Sequence, residues 1–465
     1  MNYQALFRRV AGKPVRVGLA GAGEFGRTFV AQACGIPGLT VPVLCDRDLD
    51  RAVLVARASG AAEQDITVCD SPRAAKKALG LGRVVVVPDG TLLAGLPFDL
   101  LLEATGDPEA GAANAEAAIR DGKHVAMVSK ETDVVVGPEL AMRAHRAGLV
   151  YTAVDGDQPS LLIGLVSWVR LLGLEIVAAG KGTEFDFVFD PAAGTLTANE
   201  ISVAAEGFGD LWDIASSGAA SVIAKRAEIC RTLPQRTPPD LCEMGIVANA
   251  TGLKPDTPEL HAPIARTVEL PDVLCPRPAG GLLGGSGRLD VFNCLRRPDE
   301  ISFAGGVFVV VSCRDEPTWR LLRQKGIPVN GRSGHVLLHN PVHILGAEAP
   351  ISVLSACLLG LPTGGDDLKP VCDLVAVAER PMRARSVLEI GERHAIDGLG
   401  PRLADARAVR GDAPLPYYMA AGARLRTDVP EGTVITADMV EPPEGSVLWV
   451  LRRAQDATFA DLLGD

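Results

Sequence analysis

The run Val15-Arg16-Val17-Gly18-Leu19-Ala20-Gly21-Ala22-Gly23-Glu24-Phe25-Gly26-Arg27 reads as a short apolar strand, a glycine turn and the start of a helix. Gly21, Gly23 and Gly26 fit G-x-G-x-x-G, the spacing at which a strand–turn–helix cradles a dinucleotide. The first glycine permits the tight turn. The second lets the backbone approach the pyrophosphate, and the third lets helix and strand pack closely. The helix N-terminus then offers free N–H groups and a positive dipole end, with Ala22, Glu24 and Phe25 completing the loop. With 50 glycines among 465 residues, chance alone produces such a pattern readily, so the surrounding chain carries the weight.

That context is an alternation of strands and helices. Leu39–Cys45 is a second buried strand, followed by a helix over Asp50–Ser59 and a short strand at Ile66–Cys69. A helix over Ser71–Leu79, a valine strand at Arg83–Pro88 and a strand at Phe98–Glu103 come next. Asp107 suits a helix cap and Pro108 a first helical position, opening an alanine-rich helix to Arg120. His124–Val128 and Gly148–Val154 add two strands. The fold class this implies is α/β, with an N-terminal doubly wound parallel sheet of Rossmann type over about residues 1–155.

Asp46 ends the second strand about twenty residues past Gly26, where an acid binds the adenosine ribose. The neighbouring Arg47 offers the opposite choice, the phosphate of NADP, and Asp46 would also serve as a cap for the helix beginning near Leu49. The cofactor expected is NAD(P), with NAD against NADP left open. Thr105 and Gly106 follow the Phe98–Glu103 strand, and Lys130 follows the next, so all three belong at the cofactor edge of the sheet.

Composition narrows the function classes. Lys and Arg number 46 against 57 Asp and Glu, a net charge of −11, which argues against nucleic acid or an anionic membrane as the partner. A small-molecule substrate is expected instead. Ten cysteines with no C-x-x-C read as reduced thiols, without a disulfide framework or zinc site. The longest apolar stretch, Leu161–Gly180, is interrupted by Arg170 and Glu175. It reads as a buried helix over Ser160–Leu171 and a strand, and the start of the chain lacks a signal-peptide pattern, so a cytoplasmic protein is expected.

Beyond Asp155-Gly156-Asp157-Gln158-Pro159 the character changes. Gly180-Lys181-Gly182-Thr183-Glu184 reads as a polar loop whose glycines allow close approach of a ligand. Helices are expected over Ser216–Arg231 and Asp240–Thr251, a strand at Gly305–Cys313 and a helix near Pro350–Leu359. Pro362–Lys369 reads as a linker, and Lys369–Arg453 as a small β-rich domain. Asn340-Pro341 separates His335, His339 and His343, so no metal site is assigned to them. Lys130, Lys181 and Asp157 are the catalytic candidates, because a lysine beside a carbonyl polarises it or passes a proton. Gln158, Thr183, Glu243, Asn249 and His343 are the substrate-binding candidates.

The loop at Val15–Gly26, Glu103-Ala104-Thr105-Gly106, Gly122-Lys123-His124-Val125 and Ser129-Lys130 resemble the nucleotide domain of homoserine dehydrogenases. Asp155–Pro159, Ala179–Thr183, Val247–Gly252, Pro341–His343, Asp373–Glu379 and Ala420–Thr436 extend the resemblance to homoserine-dehydrogenase-like oxidoreductases with a C-terminal SAF domain. The group includes deoxyxylulose-phosphate reductoisomerase-like enzymes, which rearrange and reduce a sugar phosphate with NADPH. Ser129 stands where the homoserine dehydrogenases carry Asn. The resemblance implies three domains: the Rossmann domain (1–155), an α+β substrate and oligomerisation domain (156–365) that in part returns to the Rossmann sheet, and a SAF-like domain (369–453). It implies a homo-oligomeric NAD(P)-dependent oxidoreductase acting on a small polar, anionic carbonyl or alcohol. The alternatives are the reductoisomerase activity and a non-catalytic nucleotide-sensing or scaffold role.

Overall fold

The computed structural model describes residues 2–10, 12, 14–214, 218–330 and 334–463. The chain divides into two compact units, Met1–Ser160 with Ile344–Asp465, and Leu161–His343.

The first unit opens with α1 (Tyr3–Val10), β1 (Val15–Ala20), α2 (Glu24–Ala33), β2 (Leu39–Cys45) and α3 (Leu49–Ala58). It continues through β3 (Ile66–Val68), α4 (Pro72–Gly80), β4 (Val84–Val87), β5 (Leu100–Glu103) and α5 (Pro108–Arg120), then β6 (His124–Met127), α6 (Lys130–Arg146) and β7 (Tyr151–Ala153). The strands form one sheet in the order β3-β4-β2-β1-β5-β6-β7, and every pairing is parallel. Both faces are covered, which is why the strands are near-continuous apolar runs: Val85, Val86, Val87, Leu100 and Leu102 are fully buried. The order reverses between β1 and β5, and this opens a crevice beyond the carboxyl ends of those two strands.

Local chemistry sets the helix starts. Asp48 accepts the Arg51 N–H and so caps α3; Asp46 is not that cap. Asp107 accepts the Glu109 and Ala110 N–H groups with Pro108 at the first position of α5. The helix α6 has no counterpart in the sequence analysis, and it carries Pro138 in its interior, where a proline is locally disfavoured. Burial of Val134, Val135, Val136 and Leu140 overrides that local preference.

α7 (Gln158–Leu171) leads into the second unit, which continues with β8 (Glu175–Asp190), β9 (Thr195–Ala198), β10 (Ile201–Ala204), α8 (Ala219–Ile229) and α9 (Pro238–Thr251). Then come β11 (Lys254–Pro255), β12 (Ile264–Ala265), α10 (Leu270–Val273), β13 (Arg288–Arg296), β14 (Val307–Ser312), α11 (Glu316–Gln324) and β15 (His335–Asn340). The expected helix over Ser216–Arg231 corresponds to α8; its first two positions, Ser216 and Ser217, lie outside the described residues.

β8 is the main correction to the sequence reading. The expected polar loop Gly180–Glu184 is the middle of a sixteen-residue strand, paired with parallel β13 and antiparallel β14. Its glycines make room for protein. A Cβ on Gly180 would lie 1.9 Å from the Asp290 carbonyl oxygen, and one on Gly182 would lie 2.4 Å from that of Phe303.

The chain then returns to the first unit. α12 (Ala349–Leu354) runs on into a π-helical turn at Ser355–Leu359, and Ala349, Val353 and Ala356 share one apolar core with Val17, Leu19 and Phe29. The expected linker Pro362–Lys369 is pinned at its start: the N–H groups of Thr363 and Gly364 donate to Thr152 Oγ1 at 3.0 and 2.8 Å. β16 (Cys372–Ala378) pairs antiparallel with β17 (Leu399–Asp405), and β18 (Arg424–Leu425) with β19 (Val440–Glu441). α13 (Val447–Thr458) follows, before the short α14 (Ala460–Leu463). Gln455 of α13 donates to the Val135 carbonyl and accepts the Glu139 N–H of α6. Among the described residues no helix is long and apolar enough to cross a membrane.

Candidate functional site

Each glycine of the opening loop is accounted for by its surroundings. Gly21 has φ +97°, and a Cβ there would lie 2.2 Å from the Ala104 carbonyl oxygen at the end of β5. A Cβ on Gly26 would lie 2.3 Å from the Gly21 carbonyl oxygen. Gly23 is different: among the described residues nothing lies within 4 Å of its missing side chain. It caps α2 with φ −71° and without a side-chain hydrogen bond, so no side chain at this position satisfies the first N–H groups of the helix. This is the arrangement that suits a phosphate.

A cavity of about 530 Å³ extends from this loop, lined among others by Gly21, Gly23, Asp46, Arg47, Arg51, Thr105 and Asn114. Asp46 is buried beneath it. Its Oδ2 accepts the Ala22 N–H at 2.7 Å, and its Oδ1 accepts from the Asp48 N–H and Arg51 Nη2, both at 2.8 Å. Burial alone would raise its pKa, but the Ala22 and Asp48 N–H groups and the Arg51 guanidinium outweigh it and hold the carboxyl below its usual range. Asp46 thus ties the glycine loop to the start of α3. Arg47 and Arg51 are exposed on the same rim.

The other end of the crevice lies beyond β5 and β6. Thr105 Oγ1 donates to Glu103 Oε1 at 2.6 Å, and the Gly106 N–H donates to Ser129 Oγ at 2.8 Å. Glu103 is fully buried and its Oε2 has no partner among the described residues. Burial pushes its carboxyl up to about 7, against hydrogen bonds from Ser129, Thr105 and Asn114. Lys130, at the first position of α6, places Nζ 3.1 Å from Asp157 Oδ1. Asp157 Oδ1 also accepts the Gln158 N–H at 2.9 Å. The structure therefore brings Lys130, Asp157 and Gln158 together.

Lys181 belongs to the second unit. Its Nζ lies 2.9 Å from Asp240 Oδ1 and pairs with Glu243 Oε2 as well; all three side chains are at most 4% exposed. Asp240 also accepts from the Thr237 N–H and hydroxyl at the start of α9. Asp240 was missed in the sequence, although its spacing of three from Glu243 puts both on one helix face. Thr183 Oγ1 donates to Asn293 Oδ1 at 2.7 Å within the core. Asn249 is buried on α9. His343 Nδ1 lies 2.7 Å from the Gly305 carbonyl oxygen, and His335 and His339 sit on β15. Among the described residues no group of three His, Cys, Asp or Glu side chains is arranged to hold a metal ion.

Residues 237–349 match the family described as the catalytic domain of oxidoreductase DRL. No curated protein matches the chain. Solved structures with similarity include an oxidoreductase domain protein from Kribbella flavida, 21% identical over 37% of this chain and 44% of that one, with a TM-score of 0.26. An oxidoreductase from Agrobacterium radiobacter, in complex with NAD+, L-tartaric acid and magnesium, is 18% identical over 39% and 47%, with a TM-score of 0.27. A 3-ketoreductase from Actinomadura kijaniata, in complex with TDP-benzene and NADP, is 19% identical over 39% and 49%, with a TM-score of 0.25. The chain spans less than half the length of each of these structures.

Proposed function

We propose that the protein is an NAD(P)-dependent oxidoreductase that moves a hydride between the nicotinamide and a small polar, anionic carbonyl or alcohol. The observation that carries this reading is Gly23. It is the one glycine of the loop whose missing side chain faces open space, at a helix N-terminus above the cavity that reaches Asp46. The match of residues 237–349 to an oxidoreductase catalytic domain supports it.

The residues present fit a dinucleotide. Backbone N–H groups around Gly23, Glu24 and Phe25 would hold the pyrophosphate. At the adenosine end, the Asp46 oxygens already accept three donors, while Arg47 and Arg51 line the same cavity; this favours NADP. Thr105, Gly106 and Lys130 would border the nicotinamide, which supplies or accepts the hydride. The Lys130 ammonium, held by Asp157, would polarise a substrate oxygen; such a donor is worth about 2.7–4 kcal/mol at a developing oxyanion. In the second unit the buried Lys181 ammonium is held by Asp240 and Glu243 and is the second candidate for polarising a substrate oxygen. Gln158, Thr183, Glu243, Asn249 and His343 are the proposed substrate-binding groups. The homoserine-dehydrogenase-like relationship, the SAF-like C-terminal domain, a homo-oligomeric state and a cytoplasmic location complete the reading.

The test is calorimetric titration with NADPH and NADH, followed by turnover against a panel of small keto acids, hydroxy acids and ketose phosphates. NADPH binding tighter than NADH binding, and oxidation with at least one substrate, are expected. Lys181→Met should keep cofactor binding and lose turnover; full turnover in that variant would remove Lys181 from the chemistry. A sugar phosphate that is rearranged as well as reduced would mark the reductoisomerase activity. Cofactor binding with no oxidation across the panel would favour a nucleotide sensor.

A further inference from the structure

One histidine near the nicotinamide end of the crevice comes from far along the chain. His394 Nδ1 lies 3.1 Å from Glu131 Oε1 and 3.3 Å from the Gly106 carbonyl oxygen. Gly106 has φ +69°, and a Cβ there would lie 2.7 Å from His394 Cε1. The imidazole therefore sits directly on the turn that follows β5. Glu131 follows Lys130 in the first turn of α6, and its side chain is 6% exposed.

The segment that delivers His394 is held at both ends. A bridge joins Ile390 to Ile396, the Gly391 N–H donates to the Ala395 carbonyl at 2.7 Å, and the buried Tyr417 hydroxyl accepts the Ile396 N–H at 2.7 Å. At its tip Arg393 and His394 adopt φ of +51° and +58°. Non-glycine residues enter that region at a cost, and two in succession persist only when the surroundings impose them. The His394 side chain nevertheless stays 44% exposed, with its Nε2 making no hydrogen bond to the described residues.

A buried carboxyl on Nδ1 with Nε2 left accessible is the arrangement that orients an imidazole for proton transfer. Glu131 also senses the neighbouring pair. Burial pushes its carboxyl above the usual range, the charges of His394 and Lys130 oppose this, and Asp157 adds to it. We propose that His394, oriented by Glu131, is the general acid–base of the oxidoreductase site, and that the C-terminal part of the chain completes that site by supplying it. The proposal rests on the oxidoreductase reading above. In the oxidising direction the substrate C–H bond would break, and the oxidised nicotinamide, when bound, would take its electron pair as hydride. The alcohol O–H proton passes to His394 Nε2 as the C=O bond forms, Lys130 holds the oxygen, and the imidazolium later returns the proton to water. Reduction runs the same steps backwards.

His394→Asn is the informative variant, since Asn tolerates a left-handed backbone and keeps the loop in place. Its kcat should fall at least 100-fold, with NADPH affinity within twofold and Tm within 2 °C of the parent. In His394→Ala, added imidazole should restore at least tenfold of the lost rate, which a purely structural role would not allow. Independently of turnover, NADPH should slow carbethoxylation of His394 by diethyl pyrocarbonate at least fivefold, read by mass spectrometry, with the exposed His145 as the unprotected control. Parent-like kcat in His394→Asn, absence of imidazole rescue, or labelling indifferent to NADPH would each overturn the proposal. Loss of the oxidoreductase reading itself would look different: the parent protein would then fail to bind NADPH or to turn over any substrate.

Discussion

Gly21–Gly26 in the first unit and Gly180–Gly182 in the second are both glycine-spaced polar phrases, and they differ in what occupies the missing side-chain positions. At Gly180 and Gly182 neighbouring backbone oxygens fill that space. At Gly21 and Gly26 backbone does the same, but between them Gly23 looks onto an empty cavity. A glycine pattern thus reports close approach without saying of what. Only the surroundings separate a cradle for a ligand from a seam between strands.

The largest effect should come from Gly180→Val. Its Cβ would need the place of the Asp290 carbonyl, so the second unit should lose about 3 kcal/mol or more, measured by urea unfolding. A loss under about 1 kcal/mol would erase the contrast with Gly23.

Buried charge extends the comparison, since Lys181 has two carboxyl partners while Glu103 has an oxygen with no partner among the described residues. The folded-state pKa of Glu103 is raised from 4.5 to about 7, so the folded protein keeps a proton that the unfolded chain releases. Stability should therefore fall as pH rises from about 4.5 through 7, by about 3 kcal/mol from this group. Glu103→Gln keeps an acceptor for Thr105 and should flatten that decline in urea midpoints taken from pH 5 to 8; an unchanged slope would assign it to other groups.

Gly23→Val should come next. NADPH affinity should drop about 100-fold, or about 2.7 kcal/mol, while Tm moves less than about 2 °C because φ at this position suits any residue. Unchanged binding would place the dinucleotide elsewhere. The smallest effect is expected for Arg51→Ala: NADPH should bind about tenfold more weakly with NADH nearly unaffected, and equal losses for both would detach Arg51 from the 2′-phosphate.

The nucleotide sheet was legible because its signals are local. Leu39–Cys45 and Pro108–Arg120 have the limits expected from apolar runs and cap chemistry. α6 has no counterpart in the sequence analysis, and its interior Pro138 is locally disfavoured in a helix. Lys130 and Asp157 were both candidates, but their contact depends on how two separate strand ends meet. Lys181 was singled out for the wrong reason: its flanking glycines suggested a loop, and they serve strand packing.

The amino-acid sequence by itself determined the alternating strands and helices, the reversal-point glycine loop and the residue types around it. Each of these follows from periodicity, turn chemistry or capping within a few positions. The tertiary structure alone decided that Asp46 ties the loop to α3, that Lys181 is buried between Asp240 and Glu243, and that His394 rests on Gly106 and Glu131. Those relations join residues far apart in the chain. They depend on which surfaces exclude water together, and no local pattern encodes that.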